Sequence, residues 1–265
     1  MNVLILTPDR VGSTLLQRLI TIYMQVHDYD KPVINIHELT NGIMKYYSPV
    51  FNKEVLGRSM DRWGYFQSLE EIKNLLAEAD HYKTSRLAAY HINARKDTIQ
   101  QQVPFYEYLN NNFYIISARR ENLLEHALSW CIFAHSKHLN VYDHQSKIDL
   151  FAKIYRDKIT VDVEIMSKYL TTYKNYLTWV NRHFNVNSYF HYEKNMPDIE
   201  KYILNLDIFN GPKRLTWKDT FDIEFKDWNR CHYLTSDLSG IGHQINAPQL
   251  TYDKPAETRY ELQSL

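Results

Sequence analysis

Short apolar runs alternate with amphipathic stretches along most of this chain. The first apolar run, residues 3–6, leads through a polar turn into an amphipathic stretch over residues 15–26. Another, residues 113–118, leads through a basic turn into a helix-period pattern that extends to Lys137. Such pairings predict a strand, a turn and a helix each time.

Weaker patterns of the same kind fill the intervals between these units. A helix with a Ser68 and Glu71 capping box is predicted over residues 68–79. The other predicted elements are strands at 33–36, 81–84 and 188–193 and helices within 148–182 and at 197–206. Alternating strands and helices predict an α/β fold whose central parallel sheet is flanked by helices. Ligand loops then share the carboxyl edge of the sheet.

The turn after the first apolar run carries groups suited to an anion. Gly12 allows close approach of the backbone, Ser13 and Thr14 offer hydroxyl groups, and Arg10 adds a fixed positive charge. A phosphate is expected at the N-terminus of the following helix. The nucleoside triphosphate loop G-x-x-x-x-G-K-[ST] has glycine and lysine where this chain has Thr7 and Ser13.

This turn resembles the 5′-phosphosulfate loop of the PAPS-dependent sulfotransferase family, in particular the P-R-S-G-S-T-L-L loop of bacterial carbohydrate-type members. The matching residues are Pro8, Arg10, Gly12, Ser13, Thr14, Leu15 and Leu16. Asp9 is an additional residue, and Val11 stands where the family has serine. The resemblance implies a three-layer P-loop-like fold and a donor, 3′-phosphoadenosine 5′-phosphosulfate (PAPS), bound by Arg10, Val11, Gly12, Ser13 and Thr14.

The basic turn after residues 113–118 is similar to the family's second phosphate-binding segment. There an arginine at the strand end and a serine on the following helix hold the 3′-phosphate of the donor. The resemblance assigns this function to Arg119 or Arg120 together with Ser129, one position further along than the family's usual spacing. The run that ends in Tyr192 and Glu193 looks like the family's late strand.

The resemblance also implies catalytic residues. Residues 81–85 resemble the lysine-threonine-histidine strand end of the family, so Lys83 is expected to act with Arg10 on the sulfuryl group. Ser85 replaces the histidine that many members use as a base, and Glu38 becomes the first choice for general base. His37 and His91 are the alternatives. The acceptor is expected to be a hydroxyl of a small molecule or carbohydrate, and the chemistry requires no metal.

Composition limits the other possibilities. The chain has 265 residues, 44% of them hydrophobic, which suits one domain with a loop-rich segment from about residue 211. A formal net charge of zero argues against a nucleic-acid partner. No apolar stretch approaches the ~20 residues of a membrane span, so no membrane partner is expected. Two cysteines without metal-type spacing and the lack of a signal-peptide pattern favour the cytoplasm.

Two other functions remain open on the sequence. A P-loop kinase or phosphotransferase should carry a loop lysine and a magnesium-binding aspartate after a buried strand, and neither is evident. A non-catalytic nucleotide-binding relative would keep the fold and tolerate the loss of Glu38. The identity of the acceptor and the oligomeric state are left open.

Overall fold

The computed structural model describes most of the first 209 residues. The described residues are 1–8, 10–27, 31, 33–39, 43–48, 53–58, 69–88, 99–136 and 163–209. Several predictions lie outside them: the Ser68 cap, His91, residues 148–162 of the long helical pattern and the loop-rich segment from about residue 211.

The described elements alternate along the chain as predicted. In chain order they are β1 (Asn2–Thr7), α1 (Ser13–Val26), β2 (Val33–Glu38), β3 (Ile43–Ser48), β4 (Lys53–Arg58), α2 (Leu69–Glu78), β5 (Tyr82–Ala88), α3 (Ile99–Asn112), β6 (Phe113–Arg119), α4 (Leu123–Ser136), α5 (Val163–His183), β7 (Ser188–His191), α6 (Tyr192–Asn195), the 3₁₀ helix Met196–Asp198 and α7 (Ile199–Leu204). Five strands form a parallel sheet in the order β2-β5-β1-β6-β7.

The core lies on both faces of this sheet. Side chains of β1 alternate between the faces, and residues 3–6 are all fully buried. Leu4 and Leu6 pack in one cluster with α2, α3 and α5, whereas Val3 and Ile5 pack in another with α1 and α7. A strand buried on both sides explains the unbroken apolar run in the sequence. The predicted α/β fold, with helices flanking a parallel sheet, is confirmed.

Several elements differ from the sequence prediction. The late strand predicted to run to residue 193 ends at His191, and Tyr192 and Glu193 begin α6. The strand predicted to end at residue 84 continues to Ala88. The antiparallel hairpin of β3 and β4 and helix α3 were not predicted. Pro104 inside α3 obscured that helix, since proline is disfavoured in helix interiors.

The loops after β1 and β6 lie at the same edge of the sheet. Thr7 pairs with Ala88 on β5, and Leu6 pairs with Ser117 on β6, so the three parallel strands end at similar heights. The prediction that the two loops share the carboxyl edge is therefore confirmed. Because β1 lies between β5 and β6, a crevice is expected there, where ligands bind in open α/β sheets.

In the part of the chain that the structure describes, no helix combines the length and apolar character needed to cross a bilayer.

Candidate functional site

The loop between β1 and α1 turns sharply through two left-handed residues. The backbone φ angles are 66° at Arg10 and 71° at Gly12, and Gly12 caps α1 by accepting a hydrogen bond from the Leu16 amide at 3.0 Å. The Val11 side chain is fully buried in the core, so Val11 has only its main chain to offer a ligand. Ser13 is also buried and begins α1.

Gly12 packs closely against the segment that follows β7. A Cβ atom at this position would overlap Cε of Met196 and lie 3.1 Å from the ring of Tyr192. Glycine is favoured here, because a side chain would be strained at this φ angle and would require the end of Met196 and the Tyr192 ring to shift. Tyr192 begins α6 directly after β7, so the end of the late strand and the turn that follows it adjoin the first loop.

Arg10 connects the first loop with the helix after the second loop. Its Nε lies 3.5 Å from Oγ of Ser129, a residue 119 positions further along the chain. Ser129 is on α4, which starts directly after the basic turn. Two residues that the sequence assigned to separate phosphate groups are thus brought together.

The two arginines of the second loop have different surroundings. Arg119 donates from Nε to Ser117 Oγ at 3.2 Å and from Nη2 to Asn181 Oδ1 at 2.9 Å. Both guanidinium groups stack on tyrosine rings: Arg119 on Tyr189, with its Cζ 4.2 Å from the ring centroid, and Arg120 on Tyr192, at 4.4 Å. Since Tyr192 also contacts the first loop, Arg120 and not Arg119 shares its surroundings with that loop.

The backbone of Arg120 is held by a buried phenol. The Tyr173 hydroxyl accepts a hydrogen bond from the Arg120 amide and donates one to the Arg120 carbonyl, both at 3.0 Å. Burial is the main cause that raises the pKa of Tyr173, so its hydroxyl stays protonated near neutral pH and can donate. This pair of bonds fixes the start of the second loop.

Two carboxylates bind the guanidinium of Arg120. Glu193 accepts from Nε at 3.1 Å, and Glu125 accepts from Nη2 at 3.3 Å. Glu193 also accepts from the backbone amides of Glu121 at 2.9 Å and Asn122 at 3.4 Å. Burial alone would raise the pKa of Glu193, but the backbone hydrogen bonds and Arg120 outweigh it and lower that pKa.

Glu38 lies at the end of β2 beside a buried arginine that the sequence analysis did not single out. Arg86 Nη2 is 3.4 Å from Glu38 Oε1, and Arg86 Nη1 donates to the hydroxyl of Thr14 at the start of α1. The side chains of Arg86 and Glu38 are only 8% and 12% exposed, so the pair is shielded from solvent. In the sequence, Arg86 is a basic residue three positions after Lys83. The predicted strand ended at residue 84, so Arg86 was not expected to lie near the end of a strand. The observed β5 includes Arg86 and ends at Ala88.

Lys83 is not at the edge where the sequence interpretation placed it. It is the second residue of β5, pairs with Ile34 near the start of β2, and donates from Nζ to the carbonyls of His81 at 2.9 Å and Ala79 at 3.4 Å. Five residues separate it from the end of β5, a distance of about 16 Å at ~3.3 Å per residue. The structure therefore does not bring Lys83 to the edge of the sheet where the first loop and Glu38 lie.

The assembled site offers two sets of anion-binding groups with a carboxylate nearby. Among the described residues, no group of three or more histidine, cysteine, aspartate and glutamate side chains is placed to hold a metal ion.

No model of a known protein family matches the chain, and a search of curated proteins finds no match either. The function is therefore inferred from the residues of the site.

Proposed function

We propose that this protein is a sulfotransferase that transfers a sulfuryl group from PAPS to a hydroxyl of a small molecule or carbohydrate. The observation that carries the proposal is the contact between Arg10 of the first loop and Ser129 on α4. A donor with phosphate groups at both the 5′ and 3′ positions needs two anion-binding sets at a fixed separation. A single phosphate loop would not require the second set.

The first loop is proposed to hold the 5′-phosphosulfate. The N-terminus of α1 begins at Ser13, where backbone amides and the helix dipole favour an anion. Arg10 and the Thr14 hydroxyl supply further donors. The 3′-phosphate is assigned to Arg120 and Ser129, because Arg120 stacks on Tyr192, whose ring packs beside Gly12 of the first loop.

The proposed reaction forms one bond to sulfur and breaks another. The acceptor oxygen attacks the sulfur atom, the bond between sulfur and the 5′-phosphate oxygen breaks, and the acceptor proton passes to Glu38. The leaving phosphate keeps the electron pair and is stabilised by Arg10 and the amides of the first loop. Arg86 takes the part first assigned to Lys83, since it joins Glu38 to Thr14.

A kinase is less well supported by the same geometry. Ser13 stands where the nucleoside triphosphate loop has its lysine. A serine hydroxyl is uncharged, so it offers no positive charge to a β- or γ-phosphate, and Ser13 is also buried. Among the described residues, the positive groups assigned to the site are arginines: Arg10 of the loop itself, Arg86 of β5 and Arg120 directly after β6.

The proposal is tested by calorimetric binding of 3′,5′-adenosine bisphosphate (PAP), the spent donor, with ATP and Mg²⁺ as the comparison. We expect PAP to bind more tightly than ATP. Arg10→Ala should weaken PAP binding about tenfold or more, the effect of losing one charge-assisted hydrogen bond. Arg182→Ala, at an exposed position near the end of α5, is the matched control and should bind PAP like the wild type. Preference for ATP, or no binding of either nucleotide, would contradict the proposal.

A further inference from the structure

We infer that the two carboxylates on Arg120 have opposite functions: Glu193 positions the guanidinium for the 3′-phosphate, whereas Glu125 occupies the phosphate's place and leaves when the nucleotide binds. The inference rests on the proposed function, since it requires a donor with a 3′-phosphate. It concerns the second loop only. The first loop provides an independent reference for testing it.

Glu193 has the contacts of a fixed residue. One carboxylate accepts hydrogen bonds from the Arg120 Nε and from the amides of Glu121 and Asn122, so it holds the turn that precedes α4 from a different element. Its side chain is 27% exposed. A carboxylate with three donors has little freedom to move, and the guanidinium it holds is fixed as well.

Glu125 has the contacts of a residue that is easily displaced. Its side chain is 60% exposed and meets Arg120 at one nitrogen, Nη2, at 3.3 Å. Exposed ion pairs of this kind contribute little to stability. Glu125 also belongs to the first turn of α4, where an anion is favoured by the helix dipole. A phosphate would be favoured there for the same reason.

The guanidinium can serve both groups in turn. Arginine has five N–H donors in a planar fork, and Glu193 engages the Nε side while Glu125 engages Nη2. The ring of Tyr192 supports the plane of the fork from one face. Ser129 lies on the same helix as Glu125, one turn further along. A phosphate that contacts both Ser129 and Arg120 would meet the Glu125 carboxylate and repel it.

The test compares PAP with 5′-AMP, which lacks the 3′-phosphate, on three glutamate variants by calorimetry at constant salt. Glu125→Gln should bind PAP about threefold more tightly or better, because a competing negative charge is removed. Glu193→Gln should bind PAP about tenfold more weakly, because Arg120 loses its orientation. Neither change should alter 5′-AMP affinity. Glu164→Gln, a first-turn glutamate on α5, is the matched control and should change neither ligand.

Each other outcome has a distinct meaning. If Glu125→Gln leaves PAP affinity unchanged or weakens it, Glu125 does not occupy the phosphate's place. If Glu193→Gln weakens PAP and 5′-AMP equally, Glu193 supports the fold and does not position Arg120. If the wild type binds PAP no better than 5′-AMP, there is no 3′-phosphate site and the proposed function itself fails.

Discussion

Two residues of the first loop adopt left-handed backbone conformations. Gly12 does so at no cost, whereas Arg10, with a φ angle of 66°, is a residue that seldom takes this conformation. Such a conformation costs on the order of 1 kcal/mol for a residue with a Cβ atom. Backbone strain of this kind concentrates at ligand sites. The strained turn directs Arg10 towards Ser129.

Gly12→Ala is expected to lower the free energy of unfolding by about 2 kcal/mol, from the left-handed φ angle together with the overlap with Met196. Urea unfolding measures this loss. In a Met196→Ala background the overlap is removed, and the same change should cost only about 1 kcal/mol. An equal cost in both backgrounds would show that Met196 does not restrict Gly12.

The parallel pairing of strands decides which end of each strand meets the ligand loops. Lys83 and Arg86 belong to the same strand, yet Lys83 lies near the start of β5 and Arg86 lies level with Glu38 at the end of β2. Three residues along a strand separate them by about 10 Å. Arg86 is therefore at the candidate site, whereas Lys83, near the other end of β5, is not.

Lys83 gives a pH test of that assignment. Burial and, to a lesser extent, the charge of Lys31 lower its pKa from 10.5 to about 8, although the charge of Asp80 acts in the opposite direction. Between about pH 8 and 10.5 the unfolded chain holds a proton on Lys83 that the folded chain has released, so stability should rise with pH in this window. We expect a relative gain on the order of 2 kcal/mol in the wild type over Lys83→Met.

Urea unfolding of both proteins across this pH range measures the difference. Lys83→Met should also bind PAP with wild-type affinity, since Lys83 lies at the far end of β5. A marked loss of PAP affinity in a Lys83→Met protein that remains folded would support the original assignment of Lys83 to the site.

The proposed catalytic groups come together only in the complete fold. Glu38 is contributed by β2, Arg86 by β5 and Thr14 by α1, and their contacts depend on the packing of all three elements. The arrangement joins the proposed base to the loop that holds the donor. Removing the charge of Glu38 should therefore affect transfer more than binding.

Glu38→Gln is expected to slow turnover, measured as the formation of PAP from PAPS with an acceptor present, by about 100-fold or more. A general base contributes a factor of this size. PAP affinity should stay within about twofold, because Glu38 is not assigned to the donor. Coupled detection of PAP and calorimetry measure the two quantities. Unchanged turnover would favour a different base, a wild type that binds PAP without any turnover would favour a non-catalytic relative, and an equal loss of turnover and affinity in Glu38→Gln would indicate a structural function.

Much of the fold followed from the sequence because its signals are local. The buried strands β1 and β6 are continuous apolar runs, and the turn with Gly12 has its own composition. The hairpin of β3 and β4 was not predicted, although Pro49 and Asn52 between its strands are residues typical of turns. Lys83 was misplaced because the length of β5 past residue 84 is set by its pairing with β1.

The sequence by itself determined the α/β alternation, the two loops and the residue types available to bind anions, because apolar periodicity and turn chemistry depend on near neighbours. The tertiary structure decided which of those residues meet: Arg10 with Ser129, Arg120 with Tyr192, and Glu38 with Arg86. Strand order and register bring together groups that are distant along the chain. Local patterns carry no information on that pairing, so our proposal of Arg120 over Arg119 and of Arg86 over Lys83 rests on contacts that exist only in the folded chain.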